Sequence, residues 1–172
     1  MDATTTYAPL ARFFAATLPA LYVGATWCQS IIAVKLILDH APNARTIAKE
    51  WLQGYQWGPA WVIPTIIPGA AANIYLAYLT RNDPFQCALY ATSATLVLFI
   101  MPFTLGWMEP GVNGACKWKI QSLLKDEGYY MPPWNGISSA HRHSASEQSK
   151  KWSEEWTMKE LVAHWKKFND FR

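Results

Sequence analysis

Three stretches of this chain contain no Asp, Glu, Lys or Arg: Phe13–Val34, Trp51–Thr80 and Pro84–Met108, of 22, 30 and 25 residues. The hydrocarbon core of a bilayer, about 30 Å thick, takes about 20 such residues at the helical rise, so each run is long enough to cross it. The soluble alternative, three buried helices, would have to hide nearly two-thirds of the chain beneath a charged tail of 64 residues. Mean hydropathy, −0.03, conceals the pattern because it averages unlike parts: residues 1–108 hold 9 charged side chains and residues 109–172 hold 18. Arg12 is the basic residue leading into the first run, which exceeds the roughly 7–15 apolar residues of a signal peptide and so reads as a retained span. The expected fold is all-α. It is an integral membrane helical bundle in a single domain, 1–172, with spans at about 13–34, 57–80 and 85–108, a cytosolic loop over 109–156 and a C-terminal amphipathic or fourth helix over 157–172.

A net charge of +3 is too small to argue for nucleic acid, and the basic residues sort by topology instead. Arg12 and Arg81 fall on one side. Lys35, Arg45, Lys49, Lys117, Lys119 and Lys125 fall on the other, which places the N-terminus outside or in a lumen and the C-terminal segment in the cytosol. Cys28, Cys87 and Cys116 form neither a Cys-x-x-Cys nor an even set, so they read as packing residues rather than a redox pair or zinc site. The sequence also lacks a Gly-x-Gly-x-x-Gly fingerprint, a P-loop, a His-Glu-x-x-His helix and a carboxylate inside any span.

Within the spans, Ala16, Ala20 and Gly24 recur at four-residue intervals, a stripe that lets another helix approach closely. Span two holds Pro59, Pro64 and Pro68, each of which removes a backbone donor, so a bend or cavity is expected there. Residues 43–55 suit an interfacial helix or a plain connecting loop. Trp57, Trp61 and Trp107 lie near span ends, as an aromatic belt would. Residues 128–153, with two prolines and no sustained period, read as loop. The last element is marked by a capping box, Thr157 with Glu160, and by Met158, Leu161, Val162, Trp165 and Phe168 at helical spacing. On its wheel His164, Asn169 and Arg172 share the apolar face with Trp165, an arrangement that solubility alone would not require.

Several short motifs are spread over nearly the whole chain. They are a Gly24-Ala25 step in the first span; Trp51-x-x-x-Tyr55 followed by Gly58 and Pro59; Pro102-Phe103-Thr104-Leu105; Met108-Glu109-Pro110 with Asn113 behind it; and the closing Trp165-x-x-x-Asn169-x-x-Arg172. Together they resemble the anthrone oxygenases, small multi-span proteins of fungal polyketide pathways with bacterial relatives. Members of that family continue past the closing motif into a further apolar helix. The fourth helix is therefore expected to be absent, truncated or supplied by 157–172. The 128–153 loop is also longer and more polar than the resemblance leads one to expect.

The resemblance implies a cofactor-independent, metal-free oxygenase that uses O₂ to convert a polyketide-derived anthrone to an anthraquinone at the endoplasmic reticulum membrane. Its partners would be the aromatic polyketide, O₂ and the lipid bilayer, with a homo-oligomer left open. The alternative of a different class is a non-catalytic small tetraspan acting as scaffold or lipophilic-metabolite binder. For the chemistry, His164 is the candidate base, since its ordinary pKa of about 6.5 suits proton exchange near neutrality; a packed histidine is the competing reading. Arg172 would stabilise an enolate or peroxide anion, or merely snorkel at the interface. Asn113, Trp165, Asn169 and Asn73 are the candidate substrate contacts, against capping for Asn113 and interhelical hydrogen bonding for Asn73 and Gln29. His141-x-His143 has metal-chelating spacing but no third ligand nearby, and reads as solvated loop.

Overall fold

The computed structural model describes residues 6–135 and 140–171, so Arg172 lies outside the described residues. The described residues are mostly helical, with 128–135 and 140–146 as the main irregular stretch, and strand-like pairing among them amounts to an isolated bridge between Pro133 and His143. Three helices are long and apolar enough to cross a membrane: α1, Ala8–His40; α2, Ala44–Leu79; and α3, Pro84–Leu123. Two shorter helices follow, α4 (Glu147–Glu155) and α5 (Met158–Asn169).

The helix starts are set by short polar side chains that accept from otherwise orphaned backbone N–H groups. Asn43 Oδ1 accepts from Thr46 N at 3.0 Å ahead of α2, and Asp83 Oδ1 accepts from Gln86 N at 3.1 Å ahead of α3. Ser146 caps α4, and at α5 the Thr157–Glu160 capping box is fully formed. Backbone bonds to Glu160, chiefly from Thr157, hold its carboxyl below the ordinary range.

Contacts group the chain into two units. One comprises Met1–Ala25 and Ala60–Met101. Here the close helix approach falls not on the Ala16, Ala20, Gly24 stripe, which is exposed, but at Gly69. A methyl added at Gly69 would meet Pro19 and Leu18 at 3.2–3.4 Å, whereas one added at Gly24 would meet nothing within 4 Å. Ala11, Ala72 and Leu76 form a small core, with Ala15, Tyr75 and Tyr90 against it. Leu21, Val23, Leu89, Leu96 and Phe99 are exposed, as suits side chains whose solvent is lipid.

The second unit comprises Thr26–Pro59 and Pro102–Arg172 and has a larger core, built on Ala48, Trp51, Met108, Val112, Ile120, Leu161 and Trp165 among others. Residues 109–156, expected as one cytosolic loop, instead contain the end of α3, a 3₁₀ turn at Lys125–Glu127, and α4. Gly128 closes that turn in the left-handed region at φ 76°, which a side chain would disfavour. Residues 44–55 are neither loop nor a separate interfacial helix but the first turns of α2. Arg45 and Lys49 tie those turns to Asp126 and Glu127, and the Arg45 guanidinium holds the Asp126 carboxyl below its usual value.

Two parts of this unit depart from α-helical winding. Gln29–Ala33 in α1 and Thr104–Asn113 in α3 are π-helical, and Gly111 leaves helical conformation altogether (φ −107°, ψ −114°) next to Pro110, which has no N–H to give. Wider turns of this kind concentrate at functional sites.

Candidate functional site

The π-helical part of α3 carries Glu109 into the core of the second unit. Glu109 Oε2 accepts from Lys117 Nζ at 2.6 Å, and both side chains are sealed from solvent, at 1% and 0% exposure. In a straight α-helix residues eight apart are separated by about 12 Å along the axis. The wide turns and the break at Gly111 are what bring this pair together. The other carboxylate oxygen accepts from the Tyr55 hydroxyl and, at 2.8 Å, from Asn113 Nδ2. That amide also lies 3.2 Å from the Tyr55 oxygen, and the Lys117 ammonium stands 4.7 Å from the Tyr55 ring centre.

A buried ion pair contributes little net stability relative to well-packed apolar groups, because desolvating two charges offsets their attraction. Its presence in a unit this small therefore points to use rather than to packing. The surroundings support that reading. Trp51 stacks on Tyr55 (4.8 Å, 12°) and meets Trp165 edge-on (5.8 Å, 89°). Three buried polar atoms here, Trp51 Nε1, Trp165 Nε1 and Asn113 Oδ1, find no partner among the described residues. Buried polar atoms are nearly always hydrogen-bonded, so two donors and an acceptor left over beside a charged cluster are what an oxygen-bearing ligand would complete.

Of the residues singled out from the sequence, Asn113 and Trp165 belong to this cluster. Asn169 is buried in the same unit and donates from Nδ2 to the Ser30 hydroxyl, which the π-helical part of α1 presents. His164 is half-buried among Trp152, Trp156 and Phe168, each ring edge-on at 5.0–5.7 Å. Burial, then the nearby Lys167 charge, holds its pKa below the usual histidine value. Asn73 lies in the other unit, bonding the Gly69 carbonyl at 2.9 Å and the Ala15 carbonyl at 3.4 Å. His143, expected in a solvated loop, is buried: its ring lies 3.8 Å from that of Trp118, and Nδ1 is 3.0 Å from the Ser144 carbonyl. Among the described residues no three His, Cys, Asp or Glu side chains are grouped to hold a metal. A groove of about 470 Å³ runs along α3 past Phe85, Leu89, Thr92 and Leu96, but it is open and apolar and presents no charged group.

Sequence reasoning missed Lys117, counting it among exposed topology-setting charges, and noted Glu109 and Tyr55 only as motif letters. The available signal was the four-residue spacing of Glu109, Asn113 and Lys117. Without Lys117 the basic residues on that side number five, still against Arg12 and Arg81 on the other.

Fold and cluster together define a helical protein with membrane-length spans and a hydrogen-bonded Glu109–Lys117 ion pair set beside aromatic rings. The family model for anthrone oxygenases matches residues 51–172, which include Trp51, Tyr55, Glu109, Asn113, Lys117 and Trp165, and the chain belongs to the anthrone oxygenase family. No curated protein and no solved structure matches it.

Proposed function

We propose that this chain catalyses the O₂-dependent oxidation of a polyketide-derived anthrone to an anthraquinone, and that the Tyr55–Glu109–Asn113–Lys117 cluster performs the proton transfers. The observation that carries the proposal is the part-buried Tyr55–Glu109 hydrogen bond beside unpartnered indole donors, within the family's matched segment.

An anthrone holds an acidic methylene between two aromatic rings, para to a ring carbonyl. Tyr55 oxygen takes one methylene proton as its own hydroxyl proton passes to Glu109. The developing oxyanion on the substrate carbonyl receives the Trp51 and Trp165 N–H groups. The anthrolate passes one electron to O₂, and radical and superoxide combine to form a C–O bond. The resulting peroxide is protonated from the cluster. Loss of the second methylene proton with cleavage of the O–O bond then leaves the quinone carbonyl and releases water. The enolate supplies the electrons for O₂, so this sequence of steps runs on the substrate and these side chains, as the resemblance implies.

The test is O₂ uptake and quinone absorbance with an anthrone and purified protein in nanodiscs. Tyr55→Phe should lower turnover by about 10²–10⁴-fold with the fold intact by circular dichroism, and Glu109→Gln should do the same per molecule of protein that remains folded. His164→Ala serves as the comparison, since its imidazole contacts aromatic rings rather than the cluster. Full activity in both cluster variants with loss in His164→Ala would transfer the base to His164. No acceleration by folded wild-type protein over spontaneous oxidation would instead support the non-catalytic tetraspan.

A further inference from the structure

Three tryptophans of the second unit stand out by exposure: Trp27, Trp57 and Trp107, at 65%, 66% and 63%. They occupy one level. Gln29 faces Gly54, where an added methyl would lie 3.8 Å from the amide nitrogen; Trp27 and Trp57 lie two and three residues from that contact, towards the same end. Trp57 and Trp107 each lie two residues beyond the hydrogen-bonded Tyr55–Glu109 pair, again towards that end. Going the other way along α2, the exposed side chains become Gln53, Glu50, Lys49 and Arg45, none of which hydrocarbon would tolerate.

Indoles gather at the edges of a hydrocarbon core, where an apolar ring meets water and headgroups.

We propose that the hydrocarbon edge runs through Trp27, Trp57 and Trp107, so that the Tyr55–Glu109 pair works in the lipid headgroup layer, with Asn113 and Lys117 on its aqueous side, and draws a flat amphiphilic substrate laterally from that layer. Along α2, Tyr55 lies about 3 Å past the ring and Trp51 about 9 Å; on α3, Glu109 and Asn113 follow Trp107 by two and six residues in the π-helical part. The headgroup layer itself is about 5–8 Å deep on each side. The catalytic part rests on the proposed function; the position of the edge does not. It also differs from what charge alone indicates, because the charge-free run of α1 continues to Val34, seven residues past Trp27.

The experiment reads depth directly. Nitroxide labels are placed at Val23→Cys, Ile31→Cys and Leu36→Cys, all exposed on α1, with Cys28 and Cys87 replaced by Ser and the buried Cys116 kept. Power saturation in nanodiscs with O₂ and a nickel chelate should show O₂ favoured at Val23, near balance at Ile31 and the chelate favoured at Leu36. The logarithm of the two accessibilities should therefore change sign between Val23 and Leu36. O₂ favoured at Leu36 would put the cluster inside the hydrocarbon and overturn the proposal, as would the chelate favoured at Val23. Wild-type tryptophan fluorescence gives a second reading without cysteine replacement: bromines near the lipid carbonyls should quench it more strongly than bromines near the chain ends, and the reverse order would refute it. Both measurements are independent of turnover, so a failed oxygenase assay leaves the edge to be judged by itself.

Discussion

Replacing Lys117 by Met removes the ammonium while keeping much of the side-chain volume. Glu109 then retains the Tyr55 hydroxyl and the Asn113 amide but loses its counter-charge in a place where its own exposure is 1%. Breaking one side of such a pair costs about 3–5 kcal/mol, since the remaining charge is left uncompensated. Against a total stability of about 5–15 kcal/mol, that shifts the folding equilibrium by about 10²–10⁴-fold. Glu109→Gln should also be costly, because it strands the ammonium. The double variant, Glu109→Gln with Lys117→Met, carries neither charge and should be about 2–3 kcal/mol more stable than the two single losses summed. The assay is a double-mutant cycle of SDS-induced unfolding in detergent, followed by far-ultraviolet circular dichroism. Losses that add to within about 0.5 kcal/mol would mean the two groups do not sense each other and would refute the buried pair.

Gly114→Ala should destabilise by about 1–3 kcal/mol or more, because its Cβ would stand 2.4 Å from Ser144 Cβ and 2.6 Å from the Glu109 carbonyl oxygen. Gly58→Ala, with nothing within 4 Å, should be neutral or gain up to about 1 kcal/mol; thermal melting of both proteins checks the contrast. For pH, burial lowers the His164 pKa in the folded state, so its contribution to stability is fully present above the unfolded value of about 6.5 and is lost as pH falls from there towards the folded value. The melting temperature of wild-type protein should accordingly fall further than that of His164→Phe between neutral pH and pH of about 5, and equal falls would count against this role.

The helical skeleton was legible because lipid imposes a length rule on uncharged runs, and three such runs are hard to use otherwise. The capping box at Thr157 was legible because its two residues are local and their geometry is fixed by the turn they close. Lys117 was not, since a lysine near a span end looks the same whether it faces the cytosol or folds back onto a carboxylate. Which of these happens depends on π turns that no periodicity assuming 3.6 residues anticipates. His164 was correctly seen on the apolar side of its helix, yet only tertiary contacts could reveal that Trp152 and Trp156 of α4 enclose it. The Ala16, Ala20, Gly24 stripe taught the opposite lesson: small residues permit close approach without requiring it, and the approach went to Gly69.

Winding has a further consequence, for how this sequence can drift over time. A π-helical stretch accommodates more residues than the same length of α-helix, so the direction of every side chain beyond it is set by how many residues the stretch contains. Losing one residue between Glu109 and Asn113 would turn Lys117 about 100° around the axis of α3 and away from Glu109, whatever letters remained. The same holds for Gln29–Ala33, which sets where Ser30 meets Asn169. Descendants of this chain can therefore exchange many residues in these two intervals and still fold, but insertions and deletions there should be purged. Spacing, more than composition, is the heritable quantity.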